Sequence, residues 1–251
     1  MKIVRILYQD KIFWGDLEND IVKIIKGNPF GEINYQGSVA LDEIKLLAPV
    51  EKNKIVLAGL NYLDHAKELG MDIPDEPIIF LKPNSSILNP DEKIIYPSGV
   101  KRLDYEAELA LVIKKKGRDI EIADINDFIL GYTCLNDVTA RDLQSKDIQW
   151  TRAKSFDTFC PVGPWIETEI DPDVLEIKCY LNGELKQSSK TTNFIFSIAE
   201  LVSFISKIMT LYPGDIISTG TPSGVGQMNI GDTVEVEIEG VGRLKNYVGD
   251  R

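Results

Sequence analysis

The segment Asp104-Tyr105-Glu106-Ala107-Glu108-Leu109-Ala110-Leu111-Val112-Ile113 sets the reading of this chain. As a β-strand its side chains alternate, so Glu106 and Glu108 share one face with Ala110 and Val112, while Tyr105, Ala107, Leu109 and Leu111 share the other. Two carboxylates thus continue an otherwise apolar face. Burying like charges about 7 Å apart is strongly unfavourable unless they are protonated or a cation lies between them. A hard divalent ion is the economical solution; the alternative is a strand end that emerges into solvent.

Around this segment the chain is β-rich. Lys2 to Tyr8, Lys11 to Leu17 and Ile21 to Ile25 read as short strands separated by polar turns, followed by loop at Gly27-Asn28-Pro29 and around Gln36-Gly37-Ser38. These form a small N-terminal β unit, residues 1–50, ahead of a larger part, residues 51–251. In the larger part Leu175, Ile177, Cys179 and Leu181 alternate with polar residues up to an Asn182-Gly183 hairpin signal, and Val234, Val236 and Ile238 alternate with glutamates. Three helices are expected: Asn61 to Leu69, Thr139 to Lys146 with Thr139 and Asp142 as a capping pair, and Ser197 to Thr210 with Ser197 as its cap. The fold class is β-rich α+β.

The 251 residues carry 28 Lys plus Arg against 39 Asp plus Glu, a net charge of −11 that argues against a nucleic-acid or anionic-membrane partner. The N-terminus has no signal-peptide core, and the best apolar helical stretch is too short to span a bilayer, so a cytoplasmic protein is expected. Cys134, Cys160 and Cys179 are widely spaced, which fits reduced thiols and no zinc site. No glycine-rich nucleotide fingerprint or Walker lysine is present.

Asp137 lies where a strand, Gly131 onward, meets the second helix; with Thr139 and Asp142 supplying the cap it is free to join Glu106 and Glu108. An all-oxygen set of three carboxylates suits Mg²⁺ or Mn²⁺. The single histidine, His65, stands three residues before Glu68 on a helical face. There the carboxylate can orient one ring nitrogen and leave the other as a base, or the two form an ordinary surface pair. The helix ends at Gly70 before a Pro-rich stretch, Ile73 to Pro77, that can serve as a lid. Lys154 precedes small and apolar residues where an ammonium can lie beside an anion, or is an ordinary surface lysine, and the turn Gly220-Thr221 after a strand can offer N–H groups and a hydroxyl to a carboxylate, or is a plain tight turn.

The motifs NYLDHAKELG (61–70), FLKPNSS (80–86), DYEAELALVI (104–113), GYTCLNDVTARDLQ (131–144), KSFDTFCPVGP (154–164) and GTPSGVG (220–226), in this order, resemble the fumarylacetoacetate hydrolase family. The likeness is to its small members acting as acylpyruvate hydrolases, oxaloacetate decarboxylases or 2-hydroxyhepta-2,4-diene-1,7-dioate isomerases. The resemblance implies a mixed β-sandwich roll behind a small N-terminal β domain, and a homodimer. It implies Glu106, Glu108 and Asp137 as ligands of Mg²⁺ or Mn²⁺, His65 and Glu68 as a catalytic dyad with Lys154, and Arg141, Gln144 and Thr221, with Gly220 in the same turn, as substrate contacts. Where the long-chain hydrolase has a further tyrosine after the glutamine, this chain has Ile148. The implied activity is C–C hydrolysis of acylpyruvate or fumarylpyruvate substrates through an enolate that the metal stabilises. Tautomerisation, hydration and decarboxylation are alternatives within the family, and a β protein with a structural cation is the alternative outside it.

Overall fold

The computed structural model describes residues 1–51 and 53–250. Its first three strands, Lys2–Tyr8, Lys11–Glu18 and Ile21–Ile25, form an antiparallel meander. The two-residue turns between them, Gln9-Asp10 and Asn19-Asp20, take positive φ at both positions, the geometry that matches strand twist and that Asn and Asp tolerate. The expected loop around Gln36-Gly37-Ser38 is instead part of a fourth strand, Tyr35–Ala40, paired with Ile21–Ile25. Tyr35 to Ser38 are exposed, so this edge strand lacks the apolar alternation by which a strand is read.

Lys2–Tyr8 then pairs with Cys160–Glu167, which joins these strands to a 12-stranded mixed sheet. From there the order runs through Ile129–Asn136, Ala107–Ile113, Ile216–Ser218, Ile55–Ala58 and Ile79–Lys82. The Ile216–Ser218 and Ile55–Ala58 pair is parallel and its neighbours are antiparallel. A five-stranded sheet covers one face, built on the Asn182-Gly183 hairpin between Glu176–Leu181 and Glu184–Lys190, with Thr233–Ile238 and Gly242–Gly249 beside it. Leu109, Leu111 and Ile113 pack on that side with Ile177, Val234, Val236 and Ile238. Ala110 and Val112 face the opposite way, into a second core with Leu135, Val162, Ile55 and residues of the N-terminal strands such as Ile3 and Trp14. The mixed sandwich expected from the sequence is therefore present, with Ala107–Ile113 buried on both faces.

Helix Ile198–Ile208 closes one side of the first core through Ile198, Val202 and Ile205. Its Ser197 accepts from the Glu200 N–H while Glu200 accepts from the Ser197 N–H, a complete capping box. The second expected helix is shorter than predicted: Thr139–Ala140 pair with Leu103–Asp104, and the helix occupies Arg141–Lys146. Thr139 and Asp142 do not cap it. Thr139 donates to the Asp137 carbonyl, and the Asp142 carboxylate accepts from the N–H groups of Lys101 and Arg102, because pairing with Leu103 pulls the chain out of helical geometry before Arg141. Among the described residues no helix is long and apolar enough to cross a membrane.

Candidate active site

The paired strands Ala107–Ile113 and Ile129–Asn136 end together, and at that end the ladder opens. The N–H of Glu106 donates to the Asn136 side chain and the N–H of Ala107 to the Gln187 side chain, so two amides replace strand partners and Leu103–Tyr105 departs into a separate three-stranded sheet. Asp137 follows directly, its N–H donating to the Glu106 carbonyl at 2.9 Å. Strand alternation, this opening and the Asp137 turn bring Glu106, Glu108 and Asp137, each buried, to a point where one oxygen of each lies within 4.8 Å of the others.

Glu108 accepts from the Ser218 hydroxyl at 2.5 Å and the Gly220 N–H at 3.1 Å. Burial, then the charges of Asp137 and Glu106, push its pKa well above the usual carboxylate range. Burial acts on Glu106 in the same direction, but Lys154 and Arg141 outweigh it and hold that carboxyl low. Lys154 donates to Glu106 at 2.8 Å and to Asp137 at 2.5 Å; burial would lower its pKa, and Asp137 and Glu106 raise it instead. Lys82, fully buried at its side chain, donates to the other oxygen of Asp137 and to the Val138 carbonyl.

The donor set fits a divalent cation. It is all oxygen, its three members are buried, and Glu108 is the member without a cation among its hydrogen-bond partners, carrying the raised pKa that an added positive charge would relieve. The sequence reading placed Lys154 beside an anionic ligand; the anions it meets are the carboxylates of the triad. The Gly220 N–H, expected to face a substrate, is taken by Glu108.

A cavity of about 370 Å³ opens beside the carboxylates. His65, on helix Leu63–Leu69, reaches it, with Nδ1 2.9 Å from Glu68; the other oxygen of Glu68 accepts from the Gly224 N–H at 3.0 Å. Nε2 is the ring nitrogen left for chemistry. Arg141, Gln144 and Thr221 line the same cavity. Arg141 donates to Asp104 through Nε at 2.9 Å and to Glu106 and Gln144 through its terminal nitrogens. Thr221 accepts from Gln187 at 2.9 Å, which leaves its own proton for donation into the cavity. Ile148 is fully exposed, and Trp150 lines the cavity instead.

Four supporting residues escape a reading from sequence. Asp104, Ser218 and Gln187 reach the site through Arg141, Glu108 and Thr221, partners 34 to 110 positions away. Lys82 did leave a signal, a lone ammonium in the strand Ile79–Lys82 that pairs with the wholly buried Ile55–Ala58.

Residues 54–249 match the model of the fumarylacetoacetate (FAA) hydrolase C-terminal domain, and residues 1–49 that of the Rv2993c-like N-terminal domain. Over 82% of its length the chain is 44% identical to oxaloacetate tautomerase Fahd2a, mitochondrial, of Rattus norvegicus, covering 70% of that protein. Among solved structures, 5-carboxymethyl-2-hydroxymuconate delta-isomerase from Mycobacterium smegmatis superposes with a TM-score of 0.95 at 43% identity, covering 100% of both chains. Maleylpyruvate hydrolase from Sphingobium sp. SYK-6, in complex with manganese (II) ion and pyruvate, does so with a TM-score of 0.83 at 29% identity over 100% of this chain and 99% of that one. With the six motifs, the mixed sandwich and the buried acidic triad already in place, the chain belongs to the fumarylacetoacetate hydrolase family of enzymes.

Proposed function

We propose that this protein is a divalent-metal-dependent hydrolase of small 2-oxo acids. It adds water across the C–C bond of an acylpyruvate, R–CO–CH₂–CO–COO⁻, to release the carboxylic acid of the acyl group and pyruvate. One observation carries the reading: the His65–Glu68 pair opens onto the same cavity as Glu106, Asp137 and Lys154. A structural cation site has no need of an oriented imidazole at its mouth.

Mg²⁺ or Mn²⁺ held by Glu106, Glu108 and Asp137 would act as an electrophile toward the 2-oxo carboxylate end of the substrate. The protein's own groups do the rest. Glu68 fixes the Nδ1 side of His65, so Nε2 is the base that takes a proton from water as it attacks the acyl carbonyl. Lys154, between Glu106 and Asp137, favours the ionised form of Glu106 and offsets negative charge that develops beside the pair. The hydroxyl of Thr221, with Arg141 and Gln144, positions the substrate carboxylate.

The names of the relatives support a second reading, in which His65 moves a proton at the carbon next to the keto group and the reaction is a tautomerisation or isomerisation. Product analysis with acetylpyruvate, fumarylpyruvate, oxaloacetate and a 2-hydroxydienoate, each with Mg²⁺ or Mn²⁺, separates the two. Release of pyruvate and a carboxylic acid is expected; keto–enol exchange without cleavage would put the isomerase first. On the strength of the family likeness we also propose a homodimer, and a division into a small N-terminal unit, 1–50, and a catalytic unit, 51–251.

A further inference from the structure

The cavity is lined by two unlike sets of side chains. The polar set is His65, Glu106, Asp137, Arg141 and Lys154, and the large apolar set is Leu69, Met71, Ile78, Phe80 and Trp150. Phe80 and Trp150 meet edge to face with ring centres 5.4 Å apart. Gly59 lies against this pair: a Cβ there would come within 3.2 Å of both the Ile78 side chain and the Trp150 ring, so a larger residue would press on both. Leu69, Met71 and Ile78 are 51%, 52% and 40% exposed, so the apolar lining reaches the surface.

Cations decide what the apolar set accepts. Lys154 and Arg141 are the Lys and Arg side chains among the described residues lining the cavity. Lys154 is bound to Glu106 and Asp137, with its ammonium 5.1 Å from the centre of the Phe80 ring. Arg141 is bound to Asp104, Glu106 and Gln144. A second carboxylate placed between Ile78, Phe80 and Trp150 would lose water with Lys154 held by the triad and Arg141 already assigned to the 2-oxo carboxylate, whereas an alkyl or aryl group would bury apolar surface there.

Resting on the 2-oxo acid reading above, we propose that Gly59, Ile78, Phe80 and Trp150 form a tail subsite for an uncharged, apolar substituent. The protein then takes 2-oxo acids with a single carboxylate in preference to dicarboxylates, and Ile78 is a specificity-determining residue.

Calorimetric titration of the Mg²⁺-loaded full chain tests this without turnover, using pyruvate and two acids of equal length, 2-oxohexanoate and 2-oxoadipate. With each buried methylene contributing about fourfold in affinity, 2-oxohexanoate is expected to bind at least about tenfold more tightly than 2-oxoadipate and more tightly than pyruvate. Ile78→Lys, at a half-exposed position, is expected to shift that ratio by about tenfold toward 2-oxoadipate; Met71→Lys in the same set serves if Ile78→Lys does not fold. Binding of 2-oxoadipate as tight as that of 2-oxohexanoate overturns the tail assignment and leaves the 2-oxo acid reading standing. A preference that neither lysine variant moves overturns the location. Failure of pyruvate itself to bind the metal-loaded protein overturns the 2-oxo acid reading, and the tail subsite with it.

Discussion

At the ammonium of Lys154 two buried carboxylates meet one cation, and its side chain is only 3% exposed. Such a group stabilises less by attraction than by preventing the cost of its absence, since removing one partner of a buried pair leaves uncompensated charge worth about 3–5 kcal/mol. Because Lys82 and Arg141 remain beside Asp137 and Glu106, Lys154→Met should lower the unfolding free energy of the metal-free protein by up to that amount in urea titration, and should also weaken catalysis. A change below about 1 kcal/mol, the range of a surface ion pair, would show that water reaches these carboxylates. His65 gives the complementary case, a residue whose loss touches chemistry alone. His65→Ala should reduce acylpyruvate cleavage by about 10²–10⁴-fold, the usual worth of a general base, with Mg²⁺ affinity unchanged. Glu68→Gln should cost less, because it disturbs only the orientation of the imidazole. Hydrolysis by His65→Ala at the native rate would remove the base from the mechanism.

Elements show which parts of the site a sequence can disclose. Glu106 and Glu108 were legible because a strand has a period of two, and Ala107–Ile113 keeps that period with alternate residues in opposite cores. The His65–Glu68 pair was legible because a helix sets residues three apart side by side, and the capping box because it is local: Ser197 and Glu200 satisfy each other within one turn. Ser197→Ala should accordingly cost about 0.5–2 kcal/mol, read as a drop in urea midpoint with unchanged slope. The opening of the ladder at Glu106 was not legible, since its N–H and that of Ala107 are satisfied by amides 30 and 80 positions away. The expected Thr139–Asp142 cap failed for the same reason: Thr139 and Ala140 found partners at Leu103 and Asp104 that no local pattern announces. Lys82 stood in a quoted motif, but its role depends on Asp137 across the core.

On the scale of the whole molecule, the site ties together segments that leave the sheet in different directions. Glu106, Glu108 and Asp137 come from two neighbouring strand ends, Ser218 and Gly220 from the parallel crossover strand and its turn, Lys82 from the sheet edge and Lys154 from a short helix. A cation bound at this junction binds the folded chain and not the unfolded one, where the carboxylates are scattered, so binding must appear as stability. At a free Mg²⁺ or Mn²⁺ concentration of 100 times Kd the gain is about 2.7 kcal/mol, and with about 2–4 °C per kcal/mol in a protein of this size the thermal midpoint should rise by roughly 5–10 °C. Chelation should reverse the rise. Asp137→Asn keeps the shape and removes one charge, so it should abolish most of the metal-dependent increment whatever it does to the metal-free midpoint. The increment is therefore the quantity to compare, because Asp137 also pairs with Lys82 and Lys154 and its loss alters the metal-free protein too. K⁺ at the same ionic strength serves as the control for screening, which would shift the midpoints of native and variant proteins alike. An equal increment in native and Asp137→Asn proteins would show that the ion binds elsewhere, and the acidic triad would then have to be read as a charge cluster neutralised by Lys82, Lys154 and a protonated Glu108.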